Sequence, residues 1–90
     1  MNESTKLKLV KSLMKKNGIE GELFVSPRKD KKFMLITSNN KKIHFGAHGM
    51  SDYLEHGDPQ RRLNFINRFK TNKNWNMPYT PMYLSRKLLW

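Results

Sequence analysis

Two short apolar runs separated by a pair of asparagines set the strongest limit on how this chain can fold. Phe33 to Thr37 (FMLIT) is a continuous apolar run, Asn39 and Asn40 both tolerate the positive φ of a tight turn, and Lys41 to Phe45 returns with Ile43 and Phe45 on one side. This is a hairpin signal. A further run around Leu23 to Val25, closed by Pro27 and followed by the charged turn Arg28 to Lys32, extends the pair to an antiparallel meander of three strands. On this register His44 points away from Ile43 and Phe45, and Gly46 is where the backbone should leave the sheet.

Helical patterns flank the meander. Ser4 or Thr5 is expected to cap a first helix running to about Lys16, with Leu7, Val10, Leu13 and Met14 on its apolar side and Lys8, Lys11 and Lys15 on another. Asn17 and Gly18 stop it. Ser51 is expected to cap a short helix over SDYLEHG, and Asp58 with Pro59 starts a longer one reaching about Thr71, whose expected buried stripe is Leu63, Ile66 and Phe69 joined by Phe65. After a loop anchored by Trp75 and Tyr79, Thr80 and Pro81 repeat the cap-and-proline start for a last helix over Met82 to Trp90. Trp90 should pack on the core or against another chain. The expected architecture is α+β: an N-terminal helix, a three-stranded antiparallel meander, then two or three C-terminal helices, all in one small basic domain over residues 1–90.

A chain of this size has a thin core, so dense packing or assembly with partners matters. It has no cysteine, which rules out a disulfide framework and a thiolate zinc site. No window approaches the roughly 18 apolar residues of a membrane span, so a soluble protein that is not secreted is expected. The charge is the informative quantity. Eighteen Lys and Arg against seven Asp and Glu give +11, a balance that attracts polyanions. After Pro59 come Arg61, Arg62, Arg68, Lys70, Lys73, Arg86 and Lys87 with no acid among them, whereas Ser51 to Asp58 has three acids and neither lysine nor arginine.

The stretch Ile43 to Arg68 holds all three histidines, two of the three aspartates and the double arginine. A metal or nuclease site from His44, His48, Asp52, His56 and Asp58 is the sharpest chemistry it suggests. The four-residue spacing of His44 and His48 counts only on a helix, and Gly46 and Gly49 argue against one. A phosphodiesterase would also need a general base and usually a metal, so a binder is expected rather than an enzyme, with no metal, cofactor or small-molecule substrate. His44, Asp52, Tyr53, His56 and Asp58 are read instead as a structural polar network: Asp52 and Asp58 on helix-start amides, His56 bridging to a carboxylate or carbonyl, and Tyr53 with a buried ring. The HFGxxG sequence, with two glycines and no following Lys-Ser or Lys-Thr pair, is a strand exit and not a phosphate cradle.

The second half of the chain also resembles a family of short uncharacterised proteins encoded by giant nucleocytoplasmic DNA viruses. The matching residues are His44, Phe45 and Gly46; Ser51, Asp52 and Tyr53; His56 and Asp58; Arg61, Arg62, Phe65 and Arg68; Asn74 and Trp75; Ser85; and Leu88, Leu89 and Trp90. Arg68 is followed here by Phe69 where that family usually has histidine, which weakens a metal or catalytic role further. The resemblance implies a viral origin, a shared fold and a place in the virion or the infected host cell, its cytoplasm or viral factory, but no known activity.

The expected function is nucleic-acid binding, DNA ahead of RNA, through phosphate contacts from Arg61, Arg62, Arg68, Lys70, Lys73, Arg86 and Lys87, possible packaging with the genome being the use the resemblance suggests. The alternative is a minor capsid or core structural protein that binds neighbouring virion proteins or itself, without a membrane partner.

Overall fold

The three apolar runs pair as expected, and the pairing decides which side chains become the core. The computed structural model describes residues 2–90, with β1 at Glu22–Val25, β2 at Lys31–Ile36 and β3 at Lys42–Ala47 in one antiparallel sheet of order β1-β2-β3. Leu23 lies opposite Leu35 and Leu35 opposite Ile43, while Val25 faces Phe33 and Phe33 faces Phe45. These two rows lie on one face. Because side chains alternate along a strand, the row Phe24, Met34 and His44 falls on the other, with Phe24 exposed and His44 half-buried.

The covered face carries two helices. Helix α1, Glu3–Lys16, packs on β1, and helix α4, Pro81–Leu88, packs on β3 and on α1. Val10, Met14, Leu23, Phe33, Leu35, Ile43, Phe45, Leu84, Leu88 and Leu89 interlock between them as the core. Full burial of each large apolar side chain is worth roughly 1.5–3 kcal/mol, so this layer carries most of the folding free energy. A long loop from Lys70 to Thr80 links it to helix α3, Pro59–Phe69, and a single turn, α2 at Tyr53–His56, precedes α3.

Several local expectations need correction. The cap of α1 is Asn2, whose side chain accepts from the Thr5 amide at 2.8 Å, and not Ser4 or Thr5. The short helix α2 begins after Asp52 and not Ser51, and Asp52 makes no side-chain capping bond. Helix α3 stops at Phe69, because Asn72 and Asn74 turn the chain locally: the Asn72 amide donates to the Phe69 carbonyl and the Asn74 amide to Asn72 Oδ1. The other start signals hold. Asp58 accepts from the Gln60 amide ahead of Pro59, and Thr80 accepts from the Tyr83 amide ahead of Pro81.

Gly46 does not end β3, which pairs on through Ala47. Its role is steric. At φ +79 a Cβ there would sit 2.9 Å from Leu89 Cδ1 and 3.2 Å from Lys32 Cβ, so only glycine lets the end of α4 close on the strand. Tyr79, the loop anchor, also takes a positive φ of 59, and its hydroxyl accepts from the Glu20 amide at 3.1 Å, tying the loop to the start of β1.

The expected buried stripe of α3 does not form. Phe65, Ile66 and Phe69 are half-buried and Leu63 is 49 % exposed. The sheet face is already filled by α1 and α4, so the apolar side of α3 turns to aromatic rings of the C-terminal segment and stays half-buried.

Candidate nucleic-acid interface

The acids before α3 are engaged by the fold, and one of them lies inside it. Asp52 is almost fully buried, and its Oδ2 accepts from Lys6 Nζ at 2.6 Å and from Lys32 Nζ at 2.8 Å. Lys6 also donates to Glu55 Oε1 at 2.7 Å. One carboxylate thus joins α1 to β2, and Lys6 carries the link on to α2. The Lys6 ammonium beside it holds the Glu55 carboxyl below its ordinary range, against the opposing effect of desolvation. Lys6 does not stand out in the sequence, although a signal is there: with Val10 and Met14 it repeats every four residues, which places a lysine on the buried side of α1.

The residues read as one polar network fall into separate places. His44 sits on the sheet face opposite the core rows with Nδ1 2.7 Å from Ser26 Oγ and makes no hydrogen bond to Asp52. His56 does not bridge to a carboxylate or carbonyl; the Asp58 amide donates to its Nδ1 at 2.9 Å, while its buried Nε2 has no partner. Its ring packs 5.2 Å from Trp90 and edge-on to Tyr53 at 6.0 Å. The Tyr53 ring is half-buried beneath the Arg62 guanidinium. His48 is exposed on a turn, and among the described residues no cluster of His, Asp and Glu is arranged to hold a metal.

The seven cations chosen from the sequence divide in two. Arg62 donates through Nε to the Trp90 main-chain oxygen at 2.8 Å, and Arg86 donates to the Trp75 carbonyl and to Asn76 Oδ1 while lying 4.6 Å from the Trp75 ring. Lys87 lies over Tyr83. These three brace the C-terminal half. Arg61, Arg68, Lys70 and Lys73 are exposed and have no carboxylate within ion-pair distance among the described residues. Arg68 rests its guanidinium 5.2 Å from the Phe69 ring, an arrangement that leaves its N–H groups free.

Helix α3 reaches the body of the protein through aromatic rings. Phe65 and Trp90 stack at 4.5 Å with planes 3° apart, and Phe65 also meets Phe69 and Trp75. Trp90 therefore packs within this chain. Among the helices and strands α3 approaches only α2 closely, so it stands off from the sheet as a cationic rod fixed by an aromatic bracket.

Fold and surface together define a small α+β protein with one cationic helix held away from its core. The model of a family of unknown function, DUF5754, matches residues 21–69, and the chain belongs to that family. The matched span runs from the start of the sheet through α3. Neither a curated protein nor a solved structure matches the chain.

Proposed function

We propose that this protein binds nucleic acid by its phosphate backbone, with Arg61, Arg68, Lys70 and Lys73 on and just beyond α3 making the contacts. The observation that carries the reading is their lack of partners: Asp52 and Glu55 are neutralised by Lys6 and Lys32, Asp30 by Arg28, and Asp58 caps α3. A polyanion on these four cations would displace no carboxylate within ion-pair distance of them among the described residues. Each phosphate neutralised releases counterions, so affinity falls steeply with salt and sequence preference is slight. Arg62, Arg86 and Lys87 contribute to the field while their side chains brace the fold.

The motif series from His44 to Trp90 supports the finer reading of a protein encoded by a giant nucleocytoplasmic DNA virus, acting in the infected cell or packaged with the genome. DNA is then the first ligand to try. A minor capsid or core component is the second reading, favoured by Phe24, Met50, Leu63 and Met77, which expose 40 to 59 % of their surface.

The test is binding of labelled duplex DNA, single-stranded DNA and RNA across a salt series, with and without Arg61, Arg68, Lys70 and Lys73 changed to alanine. The expected result is binding at near-physiological salt, with a slope of log affinity against log salt that flattens by about 0.7–0.9 for each phosphate that the variant no longer neutralises. An unchanged slope in the variant would remove α3 from the interface. Weak binding together with self-association in sedimentation would favour the capsid reading.

A further inference from the structure

The gap left where α3 stands off from the sheet is a cleft of about 520 Å³, within the roughly 300–1,000 Å³ range of small-molecule sites. Its composition is uneven. Phe65, Phe69 and Trp90 give it an aromatic wall, while Arg61, Arg68 and Lys31 stand along it as cations. Asp52 is also part of the lining, its Oδ2 accepting from Lys6 and Lys32.

We infer that this cleft receives one unstacked base of a single-stranded nucleic acid, whose flanking phosphates lie on Arg61, Arg68 and Lys31. The inference rests on the phosphate-binding reading and adds the form of the ligand. Two requirements meet in a nucleotide: a flat ring for the aromatic wall and anionic charge for the rim. A lipid supplies the charge, but its hydrocarbon tail has no flat face to stack on the wall. Intact duplex keeps its bases stacked and leaves the wall unused. The carboxylate does not repel the phosphates, because Lys6 and Lys32 balance its charge and that of Glu55.

The experiment compares three labelled ligands by fluorescence anisotropy at fixed salt: a single strand, an abasic strand of the same length and charge, and the matched duplex. Each is titrated with the native chain and with Ala47→Phe, a change at an exposed position in the cleft wall, opposite Lys31 across the strands, that fills the space and removes no cation. For the native chain the abasic strand should bind about tenfold more weakly than the intact strand, the scale of one base–aromatic stack. Ala47→Phe should lose the same factor on the intact strand, lose nothing further on the abasic one, and keep its salt slope. Asn64→Phe, exposed on the α3 side of the cleft, repeats the test if Ala47→Phe does not fold. Equal affinity for intact and abasic strands, or indifference to both substitutions, would overturn the cleft while leaving the backbone reading in place. Absence of binding to every nucleic acid at near-physiological salt would overturn both. Displacement of the bound single strand by phosphatidylserine vesicles, with loss of vesicle binding in Ala47→Phe, would assign the cleft to lipid and also overturn the inference.

Discussion

The layer of α1, α4 and the sheet differs from α3 in how each uses its side chains. In the layer, apolar rows interlock out of water, and the lysines that enter it, Lys6 and Lys32, are met by Asp52. Along α3 no residue is fully buried, and four cations on it or just beyond it have no acid beside them. The two regions divide the work. The layer supplies stability, and the helix holds cations and aromatic rings in place at a surface that adds little to folding. A charged surface kept apart from the core can also be altered without unfolding the protein, so binding can be tested separately from folding.

The largest expected effect would break this contrast if it failed. Phe45→Ala should cost about 3–5 kcal/mol, because the ring is fully buried and the surrounding layer relaxes only in part, whereas Leu63→Ala on α3 should stay within about 0.5 kcal/mol. Denaturant midpoints measured at a common slope decide it. Similar destabilisation at the two sites would mean that α3 belongs to the folding core.

The ion cluster comes next. Asp52→Asn leaves Lys32 without a carboxylate and Lys6 with Glu55 alone, and should cost about 3 kcal/mol. Adding Lys6→Met should recover part of that stability, since an apolar side chain of similar length continues the Val10 and Met14 side of α1. A double-mutant cycle on these two positions should show coupling of about 1 kcal/mol or more; additive effects would mean the pair contributes no mutual stabilisation.

The smallest effect concerns pH. Glu55 titrates below its ordinary value of 4.5 in the folded protein, chiefly through its hydrogen bond to Lys6. As pH falls, the unfolded chain takes up this proton first. The contribution is therefore fully present above about pH 4.5 and is lost as pH drops through the lowered folded value. Since the Glu55 side chain is 39 % exposed, solvent screening should hold it to under about 1 kcal/mol. Melting curves of the native chain and Glu55→Gln should differ slightly at neutral pH and converge once the pH has fallen through the lowered folded value. A gap that persists there would assign the difference to something other than this charge.

The hairpin shows how much of the fold is readable from the sequence. Alternation in Leu23 to Val25, Phe33 to Ile36 and Ile43 to Phe45 determines which residues share a face, and the turn at Asn40, with φ 64, sets the register. The caps at Asp58 and Thr80 are legible for a similar reason: each depends on bonds within a few residues. The cations of α3 are likewise visible as a run. Which of them would be free is not, because Arg62 and Arg86 find their oxygens on Trp90 and Trp75, 28 and 11 residues away.

The local sequence by itself determined the elements, their faces and the acid-free basic third, since periodicity, turn chemistry and charge act over a few residues. Only the tertiary structure decided that Lys6 and Asp52, 46 residues apart, would meet in the interior. It also decided that α3 would find no place on the filled sheet and would leave a cleft lined by rings and cations. Burial depends on which surfaces compete for the same space, and that competition is settled only when the whole chain packs.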